Sequence, residues 1–329
     1  MHLRRFPFFI AVFFSLACQP VGRGITPQAG KTSPGISVIG QREYVVEQQL
    51  VLTNAGPGQP EKEDLWVALI RDFPPYQEVK SLRISPDRYT LVTDEYGNQY
   101  AEFEFSNHPM GSSRTVEIKT RVVVNELAYD LSNCAGDLPH VFVEPELHIE
   151  SANPQIVRLA ESLVAPKDTV CEKVRAFYDY VGNTLTYTYN GRSWGAQAAL
   201  GPMGADCTEY TSLLMALSRA QAIPARYFEG LRYVETGSEA GARIEHAWPD
   251  VYMPGVGWVG MDPTLGRSPL KRGSYFAHYS PDHIIVTLGR NPSTLRGSSY
   301  WTHLYWPGEV TKISVESAEW KIELAGGWG

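Results

Sequence analysis

Three residues in the C-terminal half have the types and the order that nucleophilic acyl chemistry requires. Cys207 follows Asp206 in Gly204-Ala205-Asp206-Cys207-Thr208-Glu209-Tyr210. Asp is a favoured N-cap, which predicts Cys207 in the first turn of a helix, where unsatisfied N–H groups and the positive dipole end stabilise a thiolate. Asp206 and Glu209 push the other way, so the thiol needs a base. His246 offers an imidazole 39 residues later, in Glu245-His246-Ala247-Trp248. Asp262 follows after another 16 residues, in Trp258-Val259-Gly260-Met261-Asp262-Pro263-Thr264. A carboxylate that fixes the tautomer of an imidazole, which in turn draws the proton from sulfur, is triad logic with cysteine as nucleophile. Each residue alone also has a plain structural reading: a buried thiol sealing a helix start, and polar side chains held in strands.

One obstacle is visible in the register. A regular four-residue turn at Pro254-Gly255-Val256-Gly257 pairs Met253 with Trp258, and hence Pro249 with Asp262. The carboxylate then stands three positions away from His246 in register and on the wrong face. A bulge, or the end of the strand at Pro263, must correct it.

The elements that would carry these groups can be read from periodicity. Helical spacing begins after Asn153-Pro154, with Ile156, Leu159, Ala160 and Leu163, and again after Lys167-Asp168, ending at Gly182-Asn183. Residues 185–189 are strand-like, 190–205 form a Gly-rich connection, and a third helix runs from Cys207 until Pro224 stops it. Strand patterns follow at 225–234, 243–253, 258–261 and 283–288. Helices first and strands afterwards argue an α+β domain. Upstream, residues 36–131 show six short segments rich in Val, Ile, Tyr and Phe, at 44–53, 64–71, 79–84, 89–93, 100–105 and 115–124. Gly- and Pro-containing turns separate them, which suggests an antiparallel, immunoglobulin-like β-sandwich that positions or binds rather than reacts. Residues 132–151 connect it to the α+β domain at 152–290, and 291–329 form a β/aromatic extension. Its Tyr300-Trp301, Tyr305-Trp306 and Trp320 suit packing of a last sheet, or the lining of a groove.

Residues 166–290 resemble the transglutaminase-like superfamily, whose core shares the papain-like cysteine fold. Four blocks in order carry the resemblance: Gly204 to Cys207; the helix end Ala216-Leu217-Ser218-Arg219-Ala220-Gln221-Ala222-Ile223-Pro224-Ala225-Arg226-Tyr227; His246-Ala247-Trp248; and Trp258 with Asp262-Pro263-Thr264. His283-Ile284-Ile285 with Leu288-Gly289 fits the closing strand. The long Gly/Pro-rich loop before Asp206 departs from the family's tighter approach. The resemblance implies Cys207 as nucleophile, His246 as general base then acid, and Asp262 as its orienting group. It leaves cross-linking, peptidase and amidase chemistry all open.

An oxyanion hole would use the Cys207 N–H and a second donor, for which Gln197, Trp194 and Tyr187 stand upstream of the nucleophile. A rival G-x-S-x-G sequence, Gly191-Arg192-Ser193-Trp194-Gly195, lacks the helix and the parallel sheet that a serine nucleophile elbow needs. No H-E-x-x-H, C-x-x-C or EF-hand pattern occurs, so neither metal nor cofactor is expected.

The N-terminus speaks to location. Residues 1–17 combine Arg4-Arg5, an apolar run from 6 to 16 and Ala17, as in a secretory signal cut before Cys18. Ser15-Leu16-Ala17-Cys18 resembles a lipoprotein site, with Ser15 departing from the branched apolar residue preferred there, and a lipid anchor at Cys18 stays open. Residues 18–35 are Gly-, Pro- and Thr-rich and read as a flexible tether. In an oxidising compartment Cys134 and Cys171 can pair, or stay as two half-buried thiols. A formal charge of −7 without a basic run argues against a nucleic-acid partner. Two functions of different class follow: an exported cysteine enzyme performing acyl transfer or hydrolysis on protein or peptide amides, or a catalytically silent scaffold at the cell surface.

Overall fold

The structure is a computed structural model that describes residues 35–189, 194–235 and 244–325. The signal segment 1–17, Cys18, the tether as far as residue 34, and Ser193 lie outside the described residues.

The six predicted N-terminal strands are present as β1 (Ile36–Asn54), β2 (Pro60–Leu69), β3 (Gln77–Ser85), β4 (Thr90–Thr93), β5 (Gln99–Phe105) and β6 (Ser113–Tyr129). β1 and β6 are longer than predicted. They pair antiparallel from Ile36↔Tyr129 to Thr53↔Ser113, so each backbone supports the other beyond the apolar stretch that marks it in sequence. Inward residues alternate along both: Leu50 and Leu52 on β1, Val116 and Ile118 on β6. They meet Leu65, Val67 and Leu69 of β2 and Ala101 and Phe103 of β5 in one apolar cluster, so two sheets pack face to face.

Four helices follow. α1 (Pro154–Leu163) starts at Asn153, whose side chain accepts from the Gln155 N–H at 2.8 Å. α2 (Val170–Thr184) starts at Thr169, in a capping box with Glu172. It runs past Gly182-Asn183, where its end was expected, because Gly182 does not adopt the left-handed conformation that stops a helix. α3 (Ala196–Ala199) is a single turn in what reads as a Gly-rich connection. α4 (Cys207–Ala220) is buried on nearly every side from Glu209 to Arg219, which makes it the central helix.

The second half of the chain builds one antiparallel sheet from β7 (Ala225–Arg232), β8 (Glu245–Met253), β9 (Gly257–Gly260) and β11 (His283–Leu288), in the order β11-β7-β8-β9; a short β10 (His278–Tyr279) pairs with β6 instead. α4 covers one face, where the Thr211 hydroxyl donates to the Ala247 carbonyl at 3.1 Å. The other face packs on the N-terminal sheets: Phe228, Trp248 and Ile284 share a cluster with Tyr44, Tyr76, Tyr100 and Val122. The C-terminal strands return to the N-terminal sheets. β12 (Trp301–Pro307) pairs with β2, while β13 (Ile313–Ser317) and β14 (Lys321–Leu324) both pair with β1. Tyr300 is buried there, its hydroxyl donating to the Gly230 carbonyl at 2.8 Å, whereas Trp306 remains exposed. Cys134 and Cys171 form a disulfide with Cα atoms 6.0 Å apart, tying the connecting segment to the start of α2. Among the described residues no helix is long and apolar enough to cross a membrane.

Candidate active site

Asp206 caps α4 as its residue type dictates. Its side chain accepts from the Thr208 N–H at 3.0 Å and from the Glu209 N–H, while Glu209 reaches back to the Asp206 N–H at 3.0 Å. Cys207 thereby occupies the first helical position, and its N–H meets no acceptor among the described residues. Gly204 shapes the approach at φ +77°, where a Cβ would come 2.6 Å from Thr188 Cβ. Cys207 is a free, part-exposed cysteine. Burial of its sulfur pushes the thiol up, Asp206 adds to this, and the Ala247 N–H facing the sulfur acts in the opposite direction. Burial and Asp206 thus both favour the protonated thiol.

Ala247 follows His246, so this contact brings β8 to the helix start. His246 sits near the head of β8, 8% exposed, and its Nε2–H donates to Asp262 Oδ2 at 2.7 Å. The register obstacle disappears at the strand end. The turn is tighter than a regular four-residue one, with Met253 opposite Gly257, and the β8–β9 ladder stops at Asp250↔Gly260. Past Met261 the chain turns, and Asp262 Oδ1 accepts the N–H groups of Thr264 and Leu265 at 2.9 and 2.8 Å. The other oxygen is thus aimed at the imidazole. Burial opposes a charge on Asp262, but His246 and His283 outweigh it and hold the carboxyl well below the usual range. Because Nε2 carries the proton given to Asp262, Nδ1 of neutral His246 keeps a lone pair.

His283 is the site residue that sequence reasoning missed; it was noted only within an apolar closing strand. Its Nε2 lies 3.0 Å from the same Asp262 Oδ2. The signal available was the Asp282-His283 pair at the head of that strand. Trp248 braces both imidazoles, its ring centroid 5.8 Å from that of His246 and 4.7 Å from that of His283.

The oxyanion candidates fall in different places. The Trp194 N–H donates to Glu209 Oε1 at 3.0 Å, and Tyr187 bridges to Ala205, so both stand beside the start of α4. Gln197 is exposed on α3. His246, Asp262 and His283 also bring three donor atoms within 4.8 Å of one another. The contacts of 2.7 and 3.0 Å are shorter than the roughly 3.3 Å edge of a tetrahedral zinc site, and both imidazoles spend an N–H on the carboxylate. The cluster is hydrogen-bonded rather than arranged around a cation.

Residues 157–263 match the family model described as the transglutaminase-like superfamily, a span that includes Cys207, His246 and Asp262. The resemblance read from the sequence blocks in this half of the chain is thereby shown. A segment of 145 residues is 30% identical to the uncharacterized protein YebA of Bacillus subtilis (strain 168); it is 39% of this chain, and the chain covers 20% of that relative's length. In three dimensions the chain is similar to a solved structure described as a candidate cysteine protease from Cytophaga hutchinsonii, with a TM-score of 0.63 and 16% identity. The likeness covers 88% of this chain and 92% of that one, and it shows a shared fold.

Proposed function

We propose that the protein is an exported cysteine enzyme that transfers the acyl group of a protein or peptide amide to an amine or to water. The observation that carries this reading is a free cysteine at the start of α4 whose sulfur faces the Ala247 N–H, next in the chain to an imidazole whose Nε2 is held by a buried carboxylate. Cys207 is the nucleophile, His246 the base and Asp262 the orienting group. Export rests on the N-terminal signal pattern and agrees with the disulfide between Cys134 and Cys171.

The chemistry follows from the protonation states. The proton of the Cys207 thiol must leave as sulfur attacks the amide carbon, and in this reading the Nδ1 lone pair of His246 takes it. The oxygen of the tetrahedral intermediate gains charge at the helix start, where the Cys207 N–H and the dipole stabilise it. Collapse breaks the C–N bond, and the imidazolium returns its proton to the departing amine. A thioester on Cys207 remains. His246 then removes a proton from water or from a second amine as its oxygen or nitrogen bonds to the thioester carbon, the C–S bond breaks, and the imidazolium returns its proton to sulfur to restore the thiol.

The thiol is held up by burial and by Asp206, and this favours a second reading in which the site is silent and the domain is a surface scaffold. The two part on one experiment. The full exported chain is incubated with casein and a labelled primary amine, and separately with a peptide-amide library, alongside Cys207→Ala. Amine incorporation or peptide cleavage, with an acyl adduct at Cys207 by mass spectrometry and neither in the variant, supports the enzyme. Neither product nor adduct with wild type leaves the scaffold.

A further inference from the structure

His283 opens β11 with its imidazole between two carboxylates. Nδ1 lies 2.7 Å from Asp282 Oδ1, Nε2 lies 3.0 Å from Asp262 Oδ2, and the residue is 2% exposed. An ionised carboxylate only accepts hydrogen bonds, so each contact requires an N–H on the ring. Neutral imidazole has one N–H and imidazolium has two. Both carboxyls are held well below their usual range, burial being outweighed by the neighbouring histidines, so both are anions at neutral pH. We propose that His283 is a charged positioning residue, a fourth member of the Cys207–His246–Asp262 group that locks Asp262 Oδ2 in place and offsets its charge at His246. This inference rests on the catalytic reading given above.

Two effects follow from the geometry. With His246 and His283 on Oδ2 and the N–H groups of Thr264 and Leu265 on Oδ1, the Asp262 carboxylate has four donors and one orientation. The second effect is electrostatic. The ring centroids of His283 and His246 are 5.6 Å apart, so the His283 cation stands beside the Asp262 anion and reduces the net negative charge facing His246.

The groups around His283 support its charge. Asp282 is also 3.4 Å from Arg232 on β7, and it acts on Arg42 and Tyr44 of β1. Tyr279 of β10 donates its hydroxyl to the His283 carbonyl at 2.8 Å, and His278 is engaged with Glu126 of β6 at 3.0 Å. Trp248 of β8 packs edge-on to the ring. Burial works against the charge on His283, but Asp282 and the bonds to both carboxylates raise its pKa to about 9.

The test is the rate of Cys207 alkylation by iodoacetamide between pH 5 and 10 in the full chain. His283→Gln keeps an N–H for Asp262 and removes the cation. Loss of a positive charge near the site is expected to move the acid limb to higher pH by about 1 unit. His283→Asn, smaller and likewise uncharged, is expected to move the limb in the same direction, and it decides the matter if His283→Gln fails to fold. A structural role lowers the rate at every pH with the limbs unmoved, and that result overturns the proposal. His246→Ala separates the two readings. A profile altered by His246→Ala but unmoved by the other two sinks this inference alone. A profile that His246→Ala leaves unchanged removes the catalytic reading and this inference with it.

Discussion

Tyr76, in the N-terminal half, donates its hydroxyl to Asp250 Oδ2 at 2.8 Å, and both residues are wholly buried. Asp250 lies on β8, four residues beyond His246, and also accepts a bidentate pair of hydrogen bonds from Nε and Nη2 of Arg226 on β7. The N-terminal sheets therefore reach the strand that carries His246 through a hydrogen bond to a buried anion. Tyr76→Phe removes one donor and leaves that carboxylate short of a partner, at a cost of about 1–3 kcal/mol. Urea denaturation should show a lower midpoint at an unchanged slope; an unchanged midpoint would mean that Arg226 alone satisfies Asp250.

Asp262→Asn should leave the backbone in place, because Oδ1 of the amide still accepts the Thr264 and Leu265 N–H groups. The amide nitrogen then replaces Oδ2 and cannot accept from His246 or His283. Without its orienting acceptor, His246 loses the tautomer that keeps Nδ1 free. Since general-base assistance contributes about 10²- to 10⁴-fold, kcat/KM should fall within that range with KM within a few-fold of wild type. Steady-state kinetics on a peptide amide check it, and a variant with wild-type kcat/KM would remove Asp262 from the proposed machinery.

How far the site could be read beforehand depended on how local each signal was. The start of α4 was legible because Asp206 and Glu209 form a reciprocal cap three residues apart and an apolar stripe follows. The pairing of His246 with Asp262 was not, because ladder arithmetic ends where the ladder does. The left-handed Gly255 and Gly257 tighten the turn, and the chain leaves the sheet before Pro263, so a cap-like turn and not a register aims the carboxylate. His283 was missed because its role needs Asp262 from another strand end, which no local pattern supplies. Pairing of the tail with β1, as in Leu52↔Val315, is hidden for the same reason: the partners are short and far apart in sequence.

The disulfide gives a prediction that leaves the chemistry aside. Cys134 and Cys171 are 37 residues apart, and closing a loop of that length restricts the unfolded chain by on the order of 3 kcal/mol. The Cys134→Ser, Cys171→Ser double variant should unfold at correspondingly lower urea. The wild-type protein should match it once reduced. Labelling of Cys207 in the folded double variant should keep the wild-type rate, because the disulfide lies at the start of α2 against Met253, at the opposite end of β8 from His246.

Stability should also report the charge on His283. Its folded pKa of about 9 exceeds the unfolded value near 6.5, so its contribution is fully present below pH 6.5 and is lost as pH rises through about 9. The carboxylates have the opposite sign. Asp262, Asp282 and Glu63, the last buried between His108 and His303, have depressed values, so their contribution holds above about pH 4 and fades as the solution becomes more acidic. Unfolding free energy measured in urea should therefore decline between pH 6.5 and 9.5, by up to about 1.4 kcal/mol per pH unit for one proton. His283→Gln has no such proton to lose, so its curve should lack this decline between pH 6.5 and about 8, below the range in which the unfolded Cys207 thiol ionises. Parallel wild-type and variant curves would show that His283 is neutral in the folded protein, and the two short contacts to Asp262 and Asp282 would then need another account.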